Sequence, residues 1–160
     1  MNTHTMIVQN PSAPRRLVLL FHGVGSNARD LLLGEALAPH LPDALIVSVQ
    51  APQPAGRGWQ WFPVQGVTEA NRPARVAAAM AGFVQTVQQW QQASVLTPTE
   101  TTLIGFSQGA IMALESTQLE HAPASRVVAL SGRFAQPPRV ADPAVRIHLM
   151  HGDADAVMPV

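Results

Sequence analysis

The sequence contains no cysteine, no lysine and no tyrosine. Without cysteine there can be no disulfide, thiolate metal ligand, iron–sulfur cluster or cysteine nucleophile. All ten basic residues are arginine, which excludes a lysine Schiff base, a Ser–Lys catalytic pair and a P-loop lysine. Nucleophilic chemistry is therefore left to serine or threonine, with histidine, aspartate or glutamate as helpers.

Charge is also scarce, since charged residues make up 12% of the chain and ten basic residues balance ten acidic ones. A neutral chain has no overall field that attracts nucleic acid or an anionic membrane, so neither is an expected partner. The longest apolar run, residues 76–84, is far shorter than the roughly 20 residues of a membrane span. The first residues lack the apolar core of a signal peptide, which makes the cytoplasm the expected compartment.

Short apolar runs alternate with helical patterns along the chain. Buried strands are predicted at residues 17–22, 44–49, 101–106, 126–131 and 145–150, with a short edge strand at 6–9. Helices are predicted at residues 28–41, with Asn27 as N-cap, after Pro73, and from 108 to about 119. In the helix after Pro73, one face carries Val76, Met80, Phe83, Val87 and Trp90. This order predicts an α/β fold with a mostly parallel sheet and helices on both faces.

Residues 51–73 form a long connection rich in proline and glycine that also contains Trp59, Trp61 and Phe62. Loops of this length inside a compact domain are uncommon and are often functional. Two interpretations of the three aromatic residues stay open. They form an apolar wall for an acyl chain, or they hold the loop on the core.

Residues 105–109 read G-F-S-Q-G, between a predicted strand and a predicted helix. This is the context of a nucleophile elbow, in which two glycines allow a tight strand-to-helix turn and present Ser107 at the end of the sheet. The alternative is a turn whose serine caps the following helix. The elbow is favoured, and Ser107 is the candidate nucleophile.

Residues 22–26 read H-G-V-G-S and follow the first central strand. In a hydrolase, the backbone amides of Val24 and Gln108 would form the oxyanion hole, and His22 would be structural. A rival interpretation comes from Gly23, Gly25 and Ala28, which match a dinucleotide-binding fingerprint. Such a site needs an acid at the end of the next strand, where residues 48–50 read S-V-Q, so this interpretation is less favoured.

Residues 151–155 read H-G-D-A-D and follow the fifth strand. The chain order Ser, Asp, His of α/β-hydrolases makes Asp153 and Asp155 competing candidates for the triad acid. A metal site is disfavoured because His148 and His151 point to opposite faces of a strand.

No residue after Asp155 is a histidine, so the expected general base is missing. His22 and His151 lie at the active edge of the predicted sheet, but neither occupies the expected place in the chain order.

Residues 19–25, 60–66, 103–116 and 151–159, which read LLFHGVG, QWFPVQG, LIGFSQGAIMALES and HGDADAVMP, resemble the phospholipase/carboxylesterase family of α/β-hydrolases. This family includes the acyl-protein thioesterases. The resemblance implies an esterase with a Ser–His–Asp triad and without cofactor or metal. It matches Ser107 to the nucleophile, Asp155 to the acid, and Val24 and Gln108 to the oxyanion amides.

The family's histidine lies in a Gly-His loop beyond a further helix and strand, and the sequence stops before it. We therefore expect one α/β-hydrolase domain over residues 1–160 that lacks its C-terminal strand and helix and is inactive or weakly active. An uncovered sheet edge favours aggregation or a homodimer. The expected substrates are small to medium acyl esters, thioesters or lysophospholipids. A non-catalytic acyl-binding remnant is the alternative, and a dinucleotide-binding domain is a weaker one.

Overall fold

A computed structural model of the chain describes residues 5–155. Its strands are β1 (Met6–Gln9), β2 (Arg16–Phe21), β3 (Ala44–Val49), β4 (Gln53–Ala55), β5 (Gly58–Gln60), β6 (Thr101–Phe106), β7 (Arg126–Leu130) and β8 (Arg146–Met150). Six of them form one sheet in the order β1-β3-β2-β6-β7-β8, and β4 pairs with β5. Only β1 runs antiparallel to its neighbour in the large sheet, which confirms the predicted mostly parallel sheet.

In the described part of the chain, three α-helices pack on the sheet: α1 (Leu33–Leu37), α2 (Arg72–Ser94) and α3 (Gln108–Ser116). The larger core lies on the face covered by α2 and α3, and α1 packs against the other face. All five apolar residues predicted on one face of α2 are buried, and Pro73 lies in its first turn. None of the helices within residues 5–155 is long and apolar enough to cross a bilayer.

The predicted helix at residues 28–41 is wrong over its first part. Helix α1 covers only Leu33–Leu37, followed by a 3-10 turn at Ala38–His40. Asn27 does not cap it: its Oδ1 accepts the backbone N–H of Arg29 at 2.8 Å, and its Nδ2 donates to Asp30 at 2.7 Å. Ser26 also donates to Asp30, so the short polar side chains close a turn that competes with helix formation.

The long connection contains a hairpin that the sequence did not predict. Strands β4 and β5 meet across a two-residue turn at Gly56 and Arg57. Gly56 has φ +60°, which suits the first central position of a type II′ turn. The hairpin brings Trp59 beside Ser26, where the two residues form an isolated antiparallel bridge.

Strand β8 forms one edge of the sheet among the described residues, and all five of its residues are exposed. Ile147, Leu149 and Met150 are exposed by 39%, 62% and 58%, so this edge presents apolar surface as well as strand backbone. The homodimer expected from such an edge stays a prediction.

Candidate functional site

The carboxyl ends of β2, β6, β7 and β8 lie along one edge of the sheet because these strands are parallel neighbours. Two backbone hydrogen bonds join the segments that follow the strands: the amide of Ser107 donates to Leu130 and that of Ser131 to Met150, both at 2.9 Å. Beside Ser107 is a cleft of about 260 Å³, and the other residues that line it are His22, Gly23, Val24, Ser26, Asp30, Leu31 and Phe106.

Ser107 occupies a strained turn between β6 and α3. Its φ is +51° and its ψ is −113°, a conformation that L-residues rarely adopt. A Cβ at Gly109 would lie 2.2 Å from the carbonyl oxygen of Phe21, and one at Gly105 would lie 2.4 Å from the amide nitrogen of Ala110. The side chain of Ser107 makes no capping hydrogen bond to α3, so the turn has the geometry of a nucleophile elbow rather than of a helix cap.

The backbone amides of Val24 and Gln108 are available as donors. Within residues 5–155 neither amide donates a hydrogen bond. The loop that carries Val24 passes directly against the candidate nucleophile, because a Cβ at Gly23 would be 3.3 Å from the Cβ of Ser107. Gln108 follows Ser107 in the chain and begins α3. The two amides therefore belong to the two segments that flank Ser107, as an oxyanion hole requires.

His22 is a structural histidine with both ring nitrogens in use. Its Nδ1–H donates to the carbonyl of Gly23 at 2.7 Å, and its Nε2 accepts the amide N–H of Ala51 at 3.1 Å. The residue is 1% exposed, and burial lowers the pKa of its imidazole despite smaller opposing effects of the Gly23 carbonyl and Asp30. His22 is therefore neutral at pH 7 and holds two loops together.

The segment after β8 brings the candidate acid to an imidazole. Asp155 Oδ2 lies 3.5 Å from Nε2 of His151, and both side chains are less than a fifth exposed. Asp153 is exposed to solvent, so Asp155 is the better placed of the two competing carboxylates. Because β7 separates β8 from β6, His151 and Ser107 follow strands that are not neighbours.

The structure changes the interpretation of the aromatic residues in the long loop. Trp61 and Phe62 are 3% and 2% exposed and belong to the larger core, with Trp59 packed against it. None of the three lines the cleft beside Ser107, so the structure favours the second of the two open interpretations, a loop held on the core, over an acyl wall formed by Trp59, Trp61 and Phe62. The apolar lining comes instead from Val24, Leu31 and Phe106. The signal for Phe106 was its position at the end of a buried strand, directly before the nucleophile.

The dinucleotide interpretation lacks its structural context. No helix begins within the fingerprint, and residues 28–30 form turns before α1. Two of its amides are already bonded, since Gly25 donates to the carbonyl of Trp59 and Ala28 donates to Oε1 of Gln50. A pyrophosphate would need those amides and a helix N-terminus.

Comparison with known proteins decides the family. The family model described as Phospholipase/Carboxylesterase matches residues 2–160. The chain belongs to this family. Esterase YpfH of Escherichia coli (strain K12) is 51% identical over 156 residues, which are 95% of this chain and 67% of that protein. Membership of the phospholipase/carboxylesterase family makes the protein a hydrolase of the esterase class.

Solved structures agree with this assignment. The crystal structure of esterase PE8 is 33% identical with a TM-score of 0.83, and the match covers 92% of this chain and 73% of that one. The carboxylesterase from Bacillus cereus, at 15% identity and a TM-score of 0.69, covers 92% of this chain and 67% of that one and shares the fold alone. The phospholipase/carboxylesterase family and its α/β-hydrolase fold, expected from the sequence, are confirmed.

Proposed function

We propose that the protein is a serine carboxylesterase that hydrolyses small to medium acyl esters through an acyl-enzyme on Ser107. The observation that carries the proposal is the strained backbone of Ser107, at φ +51°, between a buried strand and a buried helix. Backbone strain of this kind at the nucleophile position is typical of the elbow in α/β-hydrolases. The backbone amides of Val24 and Gln108, which donate no hydrogen bond within residues 5–155, support the same chemistry.

In the proposed reaction, a general base takes the proton of Ser107 as its Oγ attacks the ester carbonyl. The amides of Val24 and Gln108 stabilise the oxyanion, and each such donor contributes about 3–4 kcal/mol to the transition state. The base then gives its proton to the leaving alcohol. The base next takes a proton from a water molecule, which attacks the acyl-enzyme, releases the carboxylic acid and restores the serine. In both steps Asp155 orients the imidazole and stabilises its positive charge.

The general base is the part of the triad that these residues do not supply. Both nitrogens of His22 are hydrogen bonded, and His151 lies beside Asp155 two strands away from the nucleophile's strand. No histidine follows Asp155 in this sequence. We therefore propose that the 160-residue chain is inactive or weakly active and that full turnover needs a histidine outside it.

The walls of the cleft support an acyl substrate. Val24 and Phe106 are 41% and 44% exposed, so large apolar side chains face solvent beside the nucleophile. A volume of about 260 Å³ suits a short or medium acyl group, with a carboxylic ester, a thioester or a lysophospholipid as the reacting bond. The proposed reaction partner is thus a small molecule, and the chemistry uses no cofactor.

The test compares the 160-residue chain with the product of the complete gene on p-nitrophenyl acetate and butyrate. The complete product is expected to hydrolyse both esters, and Ser107→Ala is expected to abolish turnover because it removes the nucleophile. Ser94→Ala is the matched control, since Ser94 ends α2 and its hydroxyl donates only to backbone carbonyls there. Inactivity of the complete product on a broad ester panel, or an unchanged rate in Ser107→Ala, would refute the proposal.

One observation favours a second candidate, an acyl-binding module without turnover. The described residues hold the elbow and an apolar cleft, and each of the two histidines at this edge is engaged elsewhere. A stop codon directly after codon 160, together with saturable binding of a medium-chain acyl ester and no hydrolysis, would favour this candidate over the esterase.

A further inference from the structure

The side chain of Gln108 is buried, and both ends of its amide are bonded to one segment of the long loop. Its Oε1 accepts the backbone N–H of Trp61, and its Nε2 donates to the backbone carbonyl of Phe62, both at 2.7 Å. The amide thus pairs with the loop as a neighbouring strand would. We call residues 59–62 the brace segment.

The other end of the brace segment is bonded to the loop that carries the first oxyanion amide. Trp59 donates its amide to Ser26 at 2.9 Å and accepts the amide of Gly25 at 2.8 Å. The indole N–H of Trp61 donates to the carbonyl of His22 at 2.9 Å. The brace segment therefore holds this loop on both sides of its central residue.

These contacts link the two segments that flank the nucleophile. The link runs from the start of α3 through the Gln108 side chain to the brace segment, and from there to residues 22–26. The same loop returns to the elbow where Gly23 packs against Ser107. An oxyanion hole works only when its donors lie about 2.7–3.1 Å from the developing charge, so the spacing of its two amides matters for rate.

We propose that the side-chain amide of Gln108 is a positioning group that fixes the amide of Val24 relative to the amide of Gln108. This inference rests on the proposed esterase function. It assigns the Gln108 side chain a role separate from that of its backbone N–H, which every substitution except proline retains.

Gln91 provides a matched control for the test. It is also a buried glutamine, and its Nε2 donates to Thr101 Oγ1 at 2.9 Å and to the carbonyl of Pro123 at 2.7 Å. Its bonds join α2 to β6 and to the segment before β7, not to the elbow. Gln91→Met and Gln108→Met each remove a side-chain amide from a buried position, so a general loss of packing affects both variants.

In the active, complete gene product, Gln108→Met is expected to lower kcat on p-nitrophenyl butyrate by about 10- to 100-fold. KM should stay within about twofold of wild type, because the amides act in the transition state rather than on bound substrate. Gln91→Met should lower the melting temperature and leave kcat unchanged. An unchanged kcat in Gln108→Met, or a fall in kcat/KM that comes mainly from a higher KM, would overturn the inference.

Gln108→Glu adds a readout that depends on pH. A protonated glutamate reproduces the glutamine, accepting from Trp61 and donating to Phe62, whereas the carboxylate cannot donate. We expect kcat of Gln108→Glu, divided by wild-type kcat at the same pH, to rise between pH 8 and pH 5. A ratio that stays as flat as that of Gln108→Met would contradict the positioning role.

Backbone hydrogen exchange tests the link without any activity. In the isotope-labelled 160-residue chain, Gln108→Met is expected to accelerate exchange of the Gly25 and Trp59 amides, while Gln91→Met leaves them unchanged. Accelerated exchange together with a complete gene product that hydrolyses no ester would support the link and refute the esterase. Unchanged exchange at both amides would overturn the link, whatever the protein's activity.

Discussion

The close approach of α3 to β2 makes a sharp prediction for Gly109→Ala. A Cβ at this position would lie 2.2 Å from the carbonyl oxygen of Phe21, 2.6 Å from its carbonyl carbon and 2.8 Å from the carbonyl oxygen of His22. All three are backbone atoms, and Phe21 lies in a strand paired on both sides. Relief therefore requires the helix to move away from the sheet by about 1 Å or more, since ordinary contacts begin near 3.4 Å.

The expected cost combines two opposing effects. Overpacking of a close-packed core costs about 1–3 kcal/mol, occasionally more, whereas replacing a helical glycine by alanine gains about 0.5–1 kcal/mol. A backbone contact cannot yield by a rotamer change, so we take the upper end of the overpacking cost, and the net loss of the free energy of unfolding is then about 2–2.5 kcal/mol. For a chain of this size, that lowers the melting temperature by about 4–10 °C.

Urea denaturation of Gly109→Ala, beside Gly82→Ala, checks this reasoning. Gly82 lies on the exposed side of α2, and a Cβ there would meet no atom within 4 Å. The same substitution should therefore stabilise the protein at this position by about 0.5–1 kcal/mol. The two variants must shift the midpoint in opposite directions. A Gly109→Ala protein within 0.5 kcal/mol of wild type would refute the packing on which the elbow depends.

Two further predictions concern His22 and Glu115, two buried side chains other than that of Ser107. Burial lowers the pKa of His22 in the folded protein, so as the pH falls this histidine is protonated in the unfolded chain before it is protonated in the folded one. The contribution of His22 to stability is therefore complete above about pH 6.5 and is lost progressively below it. Urea denaturation from pH 7.5 to 5.0 should give a shallower decline of the free energy of unfolding in His22→Gln than in the control His40→Gln, which makes the same substitution at an exposed position. Glu115→Ala should lower the free energy of unfolding by about 1–3 kcal/mol, because it leaves the backbone amide of Ala135 without its acceptor. Glu115→Gln should cost less, because it keeps that acceptor and loses only the attraction to the half-exposed Arg139. Equal losses in the two Glu115 variants would show that the amide contact contributes nothing.

Strands and helices were predictable where one type of burial governs a whole element. The strands at residues 44–49 and 101–106 have the predicted bounds, because a strand covered on both faces has a nearly continuous apolar sequence. Helix α2 was predictable from its period, since its buried face repeats every three to four residues. In both cases the local pattern and the tertiary environment favour the same structure.

The predictions failed where the local structure depends on hydrogen bonds of individual side chains, or where the element is too short to show a periodic pattern. The helix expected from residue 28 is replaced by turns because Asn27 and Asp30 satisfy groups that a helix would have used. The hairpin β4–β5 has strands of three residues, and Pro54 lies within one of them, so no periodicity indicates it. Sequence patterns of this length do not separate a loop from a short hairpin.

Within the candidate site, the motifs were predictable from the sequence, but the contacts that hold them in place were not. Ser107 and the loop of residues 22–26 each follow a strand, and parallel neighbouring strands bring the segments after their carboxyl ends to the same edge of the sheet. Gln108 bonds to the backbone of Trp61 and Phe62 from 47 and 46 residues away in sequence, and no sequence pattern pairs it with the loop. A tryptophan in a glycine-rich loop therefore fits a pocket wall and a core anchor equally well until the partner is known.

Backbone amides pose a particular problem for a site of this kind, because no side chain of their own can aim them. The chain places the amide of Gln108 by the helix that it begins, and that helix can approach β2 only through Gly109. It places the amide of Val24 through its neighbours: His22 holds the Gly23 carbonyl, and Trp59 holds Gly25. The Gln108 side chain then joins the two arrangements. Since each contact fixes a backbone group rather than a substrate, substitutions at these positions should act on rate through geometry and only secondarily through binding.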